Sequence, residues 1–138
     1  MAGTIGIDEA PADTRVDVPL TPLPAAAVAQ PIEAVILRRG SSRRFPHAPI
    51  PGAALATLVA SATAPVPMDV VVRPDLYVIV NAVDGIAPGT YVAAASGRTL
   101  QALHAGDVRR IAGHLDLDQP LAGDAAVNLY WLVDLDDV

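Results

Sequence analysis

The sequence contains neither cysteine nor lysine among its 138 residues. Without cysteine, the chain can form no disulfide, no thiolate metal site and no cysteine nucleophile, and such a composition fits a cytoplasmic protein. All nine basic side chains are therefore arginines. We expect a cytoplasmic protein whose positive charge comes from guanidinium groups, which pair well with carboxylates and phosphates.

Large aromatic side chains and long apolar runs are also scarce. The chain has one Phe, one Trp and three Tyr, so its core must consist mainly of small aliphatic residues. No segment approaches the roughly 18 consecutive uncharged apolar residues of a membrane helix, and residues 1–17 lack the basic start and apolar run of a signal peptide. The composition predicts one domain with an ordinary core and no membrane partner.

Negative charge dominates the sequence except in one short segment. The net charge is −6, whereas binding along a nucleic-acid backbone requires a broad basic surface, so we expect no nucleic-acid partner. Four of the nine arginines nevertheless lie in Arg38–Phe45 (RRGSSRRF), which we term the arginine loop. Arginine forks, serine hydroxyls and backbone amides near glycine bind phosphate oxygens. The segment predicts either a site for one small anion or a solvated loop that closes a helix.

Hydrophobic periodicity and turn residues divide the chain into a leader and one α+β domain. Residues 1–29 are rich in Pro, Ala and Asp without periodicity, which predicts a disordered or linker segment. From residue 31 onward, apolar spacing and strand-forming runs predict two helices, three strands, a further helix and a buried final strand. The predicted helices are 31–39, 51–63 and 107–115, and the predicted strands are 75–83, 91–95, 99–104 and 125–133.

Four segments, taken in order, resemble a known family. They are the arginine loop, a strand followed by the turn DGIAPGTY at 84–91, the segment LHAGD at 103–107, and residues 118–133 ending in AAVNLYWLV. Together they resemble the first half of nitroreductase-like FMN-dependent proteins, and most of all the SagB-type dehydrogenase branch. The resemblance covers roughly residues 31–138. We therefore expect these residues to be the N-terminal half of a nitroreductase-like domain.

The resemblance implies a fold, a cofactor and a set of ligands. The fold is an incomplete FMN-dependent nitroreductase fold of the α+β class, with two N-terminal helices, an antiparallel sheet and one further helix. The implied activity is that of an oxidoreductase in which FMN, bound between the subunits of a homodimer and reduced by a nicotinamide donor, transfers hydride. Aligning the family motif on Phe45 assigns the cofactor phosphate to Arg39, Gly40, Ser41 and Arg43.

Two other functions stay open at this point. A chain that corresponds to half of such a domain could be a non-catalytic remnant or an interaction module, whose exposed strand edge is completed by a second copy or another chain. The chain could also be a small-anion or nucleotide-binding domain that uses the arginine loop without preference for a flavin. No catalytic residue is identified, because Ser41 has no evident general base. No metal is expected, because His47, His104 and His114 lack the spacing of metal ligands.

Overall fold

The structure, a computed structural model, describes residues 16–24, 31–67 and 74–133. Within these ranges the chain forms five strands and four helices, an α+β composition as predicted but with one helix and one strand more than expected. In chain order the elements are β1 (Asp17–Pro19), α1 (Ile32–Arg38), α2 (Gly52–Ala62), β2 (Asp75–Val80), β3 (Gly89–Ala93), β4 (Thr99–Ala105), α3 (Arg109–Leu115), α4 (Pro120–Asp124) and β5 (Val127–Leu132).

The strands form one antiparallel sheet in the order β1-β4-β3-β2-β5. β2, β3 and β4 follow one another in the chain and pair as neighbours, with an irregularity in register between Thr90 and Tyr91. β5 returns to pair with the other edge of β2, where Val78 lies opposite Leu129. β2 is therefore an inner strand, which suits its run of β-branched and aromatic residues.

The core lies on both faces of β2. On one face α2 packs against the sheet through aliphatic side chains that are each at most 2% exposed: Leu55, Val59, Leu76, Val78 and Val80. Ile79 faces the other side, because successive strand residues alternate, and packs there with Val108 and Ala112 of the α3 region. Burying each Leu, Val or Ile side chain stabilises the fold by about 1.5–3 kcal/mol before entropy is counted. A core of small aliphatic residues is what the composition predicts.

Backbone contacts hold the segment between the arginine loop and α2 against the sheet. The Ile50 N–H donates to the Ala82 carbonyl at 3.2 Å, and the Ile50 carbonyl accepts from the Asp84 N–H at 3.0 Å. At Gly52, the first residue of α2, a Cβ would lie 2.7 Å from the Asp84 carbonyl oxygen. A larger residue would push the two backbones apart. The segment that follows the arginine loop is thus fixed to the end of β2.

The first departure from the sequence predictions concerns the expected linker. Residues 17–19 form β1, in which Val18 lies opposite Leu100 of β4, so the linker prediction is wrong for these three residues. Their three-residue strand is too short to show periodicity, and its hydrogen bonds come from a strand about 80 residues away. Residues 1–15 and 25–29 of the predicted linker lie outside the described residues.

Other departures concern α4 and the apolar positions expected to be buried. α4, with five residues, was not predicted, because it is too short to show a helical repeat. β5 was expected to be buried, yet it is an edge strand in which Trp131 is 47% exposed. Leu58 of α2 and Ile111 of α3, which are apolar residues within predicted helices, are 50% and 45% exposed. Apolar spacing predicts helices and strands, but it does not specify which apolar side chains pack against another element and become buried.

Candidate functional site

The arginine loop starts at the last residue of α1, so it lies at the C-terminus of a helix, as predicted. The Arg39 N–H donates to the Val35 carbonyl at 3.0 Å and closes the last turn of the helix. α1 has no buried residue, and every residue from Arg38 to Phe45 is exposed. A helix C-terminus favours cations, so the arginines are well placed. An anion bound here must be held by side chains and loop amides.

One cavity joins the second half of the arginine loop to α4. Its volume is about 500 Å³. The residues that line it are Ser42, Arg43, Arg44, Phe45, Gln119, Pro120, Leu121 and Asp124. Two guanidinium groups and a hydroxyl at one cavity form a donor set that suits the oxygens of a phosphate group.

The family motif and the cavity overlap in part. Of the four residues to which the resemblance assigns the cofactor phosphate, Arg43 lines the cavity. Arg39, Gly40 and Ser41 lie on the preceding part of the same exposed loop and are not lining residues. The cavity instead adds Arg44, which belongs to the predicted anion segment but not to the motif. The sequence did not predict that residues of α4 line this cavity. Nothing in the local sequence connects α4 with the arginine loop, which lies some 75 positions earlier.

A side-chain contact joins the arginine loop region to α4. His47 Nε2 lies 2.5 Å from Asp124 Oδ1. The two side chains are 62% and 39% exposed, so solvent screens the pair and its energetic contribution is small. The contact joins Asp124, which lines the cavity, to the segment that follows the arginine loop. It also gives Asp124, the carboxylate among the residues that line the cavity, a hydrogen-bond partner other than the loop arginines.

α4, which lines the cavity, is itself fixed by contacts with α3. Arg109 Nη1 donates to the Gly123 carbonyl at 2.6 Å, and a Cβ at Gly123 would lie 3.1 Å from the Arg109 carbonyl oxygen. A further cavity of about 370 Å³ lies between these helices. On its rim His114 Nδ1 lies 2.9 Å from Asp118 Oδ1. Arg109 therefore has a structural role, and the arginines that line the cavity beside the arginine loop are Arg43 and Arg44.

Two tyrosines of the sheet, Tyr91, which is buried, and Tyr130, which is partly buried, have raised pKa values. Burial raises the pKa of Tyr91, whose hydroxyl donates to the Ala87 carbonyl at 2.7 Å. Burial, and secondarily the negative charge of Asp116, raises the pKa of Tyr130. Both phenols stay protonated at neutral pH. Within residues 16–24, 31–67 and 74–133, no three His, Cys, Asp or Glu side chains come together in a way that could hold a metal ion.

Comparison with known proteins identifies a solved structure with a similar fold. No family model and no curated protein matches the sequence. Among solved structures, the chain is similar to the crystal structure of a protein described as a candidate nitroreductase from Anabaena variabilis, with a TM-score of 0.72 and 19% sequence identity. The superposition covers 99% of this chain.

The chain has a nitroreductase-like fold. The fold class predicted from the sequence is thus confirmed. The chain spans 31% of the length of the crystallised protein, and at this identity the likeness concerns the fold. In the part of the chain that the structure describes, no helix has the length and apolar character needed to cross a membrane.

Proposed function

We propose that this chain carries the cofactor-phosphate site of an FMN-dependent oxidoreductase of the nitroreductase type, in the SagB-type dehydrogenase branch. The observation that supports this proposal most is the combination of a nitroreductase-like fold with an arginine loop that lines a cavity. The activity of a whole enzyme is part of the proposal, since the chain spans 31% of the similar crystallised protein.

The donors of the arginine loop fit a phosphate group. The ion pairs among the described residues are His47–Asp124 and His114–Asp118, so in that part of the chain no carboxylate is paired with a loop arginine. In this proposal Arg39, Ser41 and Arg43 donate to the phosphate, and the backbone at Gly40 approaches it closely because no Cβ intervenes. Arg44 adds a second positive charge at the same cavity.

The proposed chemistry divides between the cofactor and the protein. FMN, when bound, supplies hydride transfer through its flavin ring. The residues of this chain bind and orient the cofactor by neutralising its phosphate. We further propose that the chain works as a homodimer or with a complementing chain, because α1 buries none of its residues and Trp131 and Leu132 of the edge strand β5 are exposed.

Titration with FMN tests the cofactor proposal. A hydrogen bond from a charged donor contributes about 1.5–3 kcal/mol, so Arg43→Gln and Arg39→Gln should each weaken FMN binding roughly 10- to 100-fold. Binding of riboflavin, which lacks the phosphate, should change little. Arg98→Gln, which removes an exposed arginine from the turn between β3 and β4, serves as the control and should bind FMN like the wild type. Absence of FMN binding by the wild type, or equal losses with riboflavin, would contradict the proposal.

A second candidate function, an interaction module without catalysis, is favoured by β5. This strand has one edge paired with β2 and lies at the end of the sheet, and it contains no charged residue that would oppose pairing with another strand. In this case the chain should form a dimer or a complex whether or not FMN is present. Gel filtration with light scattering over a range of concentrations checks this. A monomer at every concentration would count against the module.

A further inference from the structure

Ser42 is a second serine of the arginine loop, distinct from the serine of the family motif. It lines the cavity together with Arg43 and Arg44, whereas the motif assigns the cofactor phosphate to Ser41. Ser42 is exposed, so another protein can reach it. Two arginines precede the serine pair and two follow it. On a chain whose net charge is −6, this basic segment attracts the acidic substrate-binding surface of an arginine-directed kinase.

The backbone before Ser42 has the conformation that such kinases bind. They take their substrate as an extended segment, and their carboxylates recognise an arginine three positions before the serine. For Ser42 this residue is Arg39, whose φ of −72° and ψ of 138° are extended. For Ser41 it is Arg38, the last residue of α1. The spacing fits both serines, and the structure favours Ser42.

A phosphate on Ser42 would lie beside the guanidinium groups of Arg43 and Arg44. The ion pairs among the described residues each join a histidine to an aspartate, so in that part of the chain neither arginine has a carboxylate partner. Phosphoserine carries a charge of about −1.5 to −2 at pH 7 and three acceptor oxygens, which guanidinium groups bind bidentately. Asp124, the carboxylate of the lining, is bonded to His47. The cavity volume of about 500 Å³ accommodates a phosphate group.

We propose that Ser42 is the acceptor site of an arginine-directed serine kinase and that its phosphate binds in the cavity against Arg43 and Arg44. In the transfer, Ser42 Oγ bonds to the γ-phosphorus of a nucleoside triphosphate. The bond from that phosphorus to the β,γ-bridging oxygen breaks, the nucleoside diphosphate leaves, and the hydroxyl proton passes to a base of the kinase. The consequence rests on the proposed function: the tethered phosphate, at an effective concentration on the order of millimolar, excludes the cofactor phosphate and switches that site off.

Phosphorylation in vitro tests the acceptor. The folded chain is incubated with Mg-ATP and calmodulin-dependent protein kinase II, which reads an arginine three positions before the serine, and peptide mass spectrometry locates the phosphate. Ser42 should be labelled about fivefold or more faster than Ser41, because the last turn of α1 must unwind before a kinase can read Arg38 in extended form. Exposed Ser96, which has no arginine at that position, is the control and should stay unlabelled. Arg39→Gln should lower labelling of Ser42 about tenfold or more. Absence of labelling, or a preference for Ser41, overturns the inference.

Phosphoserine incorporated in place of Ser42 tests the cavity contact without FMN. In a ³¹P NMR titration, the second pKa of the phosphate should lie about half a pH unit or more lower in the folded chain than in urea, because two guanidinium groups favour the dianion. Arg43→Gln combined with Arg44→Gln should remove this difference. Phosphoserine in place of Ser96 is the control, whose pKa those two substitutions should not move. Equal values for position 42 in the folded and unfolded chains would show that the phosphate lies outside the cavity.

FMN binding separates the switch from the proposed function. The chain with phosphoserine at position 42 should bind FMN about tenfold or more weakly than the unmodified chain, whereas riboflavin binding should stay within about twofold. If the unmodified chain binds FMN and the modified chain binds it equally well, the switch is overturned and the proposed function stands. If the unmodified chain binds no FMN, the proposed function and the switch are both overturned, and the labelling and NMR results still decide whether Ser42 is a phosphorylation site.

Discussion

Replacing Asn81 with aspartate tests how the end of β2 is joined to the start of β5. Asn81 is 7% exposed, and its Nδ2 donates to the Ala125 carbonyl at 3.0 Å. The N–H groups of Asn81 and Ala82 both donate to the Ala126 carbonyl, at 2.9 and 3.0 Å. Among the described residues, Asn81 Oδ1 is buried without a hydrogen-bond partner. The Asn81 side chain therefore makes one hydrogen bond, through Nδ2. It makes no second hydrogen bond that could compensate for the loss of the first.

Asn81→Asp keeps the shape of the side chain but replaces the donor by an oxygen that faces the Ala125 carbonyl. An uncompensated buried charge costs about 3–5 kcal/mol, so the free energy of unfolding at neutral pH should fall by that amount. Burial raises the pKa of the introduced carboxyl above its unfolded value of about 3.9. Folding then favours the protonated form, whose hydroxyl can donate to Ala125 again. The deficit relative to the wild type is fully present above the raised pKa and shrinks as the pH falls below it.

Urea denaturation of the wild type and the variant at pH about 7 and about 4 measures this effect as the difference in unfolding free energy. Asn128→Asp is the matched control, because Asn128 makes the same kind of bond at 3.0 Å to the Ala122 carbonyl but is only part-buried. It should lose about 1 kcal/mol. The reasoning is refuted if both variants lose the same stability, or if the deficit of Asn81→Asp at the lower pH equals that at the higher pH.

Three further changes test the packing of the sheet. Leu55→Ala, at a fully buried site, should lower the unfolding free energy by about 2–5 kcal/mol in urea; a loss well below this range would show that α2 packs loosely. Gly97→Ala should lower the melting temperature more than Gly85→Ala. Both glycines have a positive φ, but a Cβ added at Gly97 would meet Thr63 Oγ1, whereas a Cβ added at Gly85 would have nothing within 4 Å. Equal shifts would contradict this. Burial raises the Tyr91 pKa above 10.0, so stability should fall as the pH rises past that value; Tyr91→Phe should weaken this dependence, which denaturation at alkaline pH can follow.

The elements with strong local signals could be predicted from the sequence. Pro31 and Pro51 precede α1 and α2, since proline is tolerated at a helix start. The β-branched run beginning at Asp75 forms β2, and the hairpin of β3 and β4 turns at Gly97, which has a φ of 65°. Each of these signals lies within a few residues of the element that it predicts.

Elements that depend on distant partners could not be predicted in this way. β1 has three residues and exists as a strand through its pairing with β4. α4 is held through Gly123 by a guanidinium 14 residues away. The exposure of Leu58 and Trp131 likewise depends on what packs against them, which apolar spacing does not encode.

At the candidate site, too, some features follow from the local sequence and others depend on distant parts of the chain. The sequence alone determines that four arginines, two serines and a glycine cluster at the C-terminal end of a helix, because charge, hydroxyl content and helix termination are local properties. Only the tertiary structure decides that Arg43 and Arg44 line a cavity while Arg39 and Ser41 do not. That choice depends on α4, which lies beside the loop and contacts its continuation through His47 and Asp124, 77 residues apart. Such a contact arises from chain folding as a whole, which is why a local pattern predicts an anion site but does not define its walls.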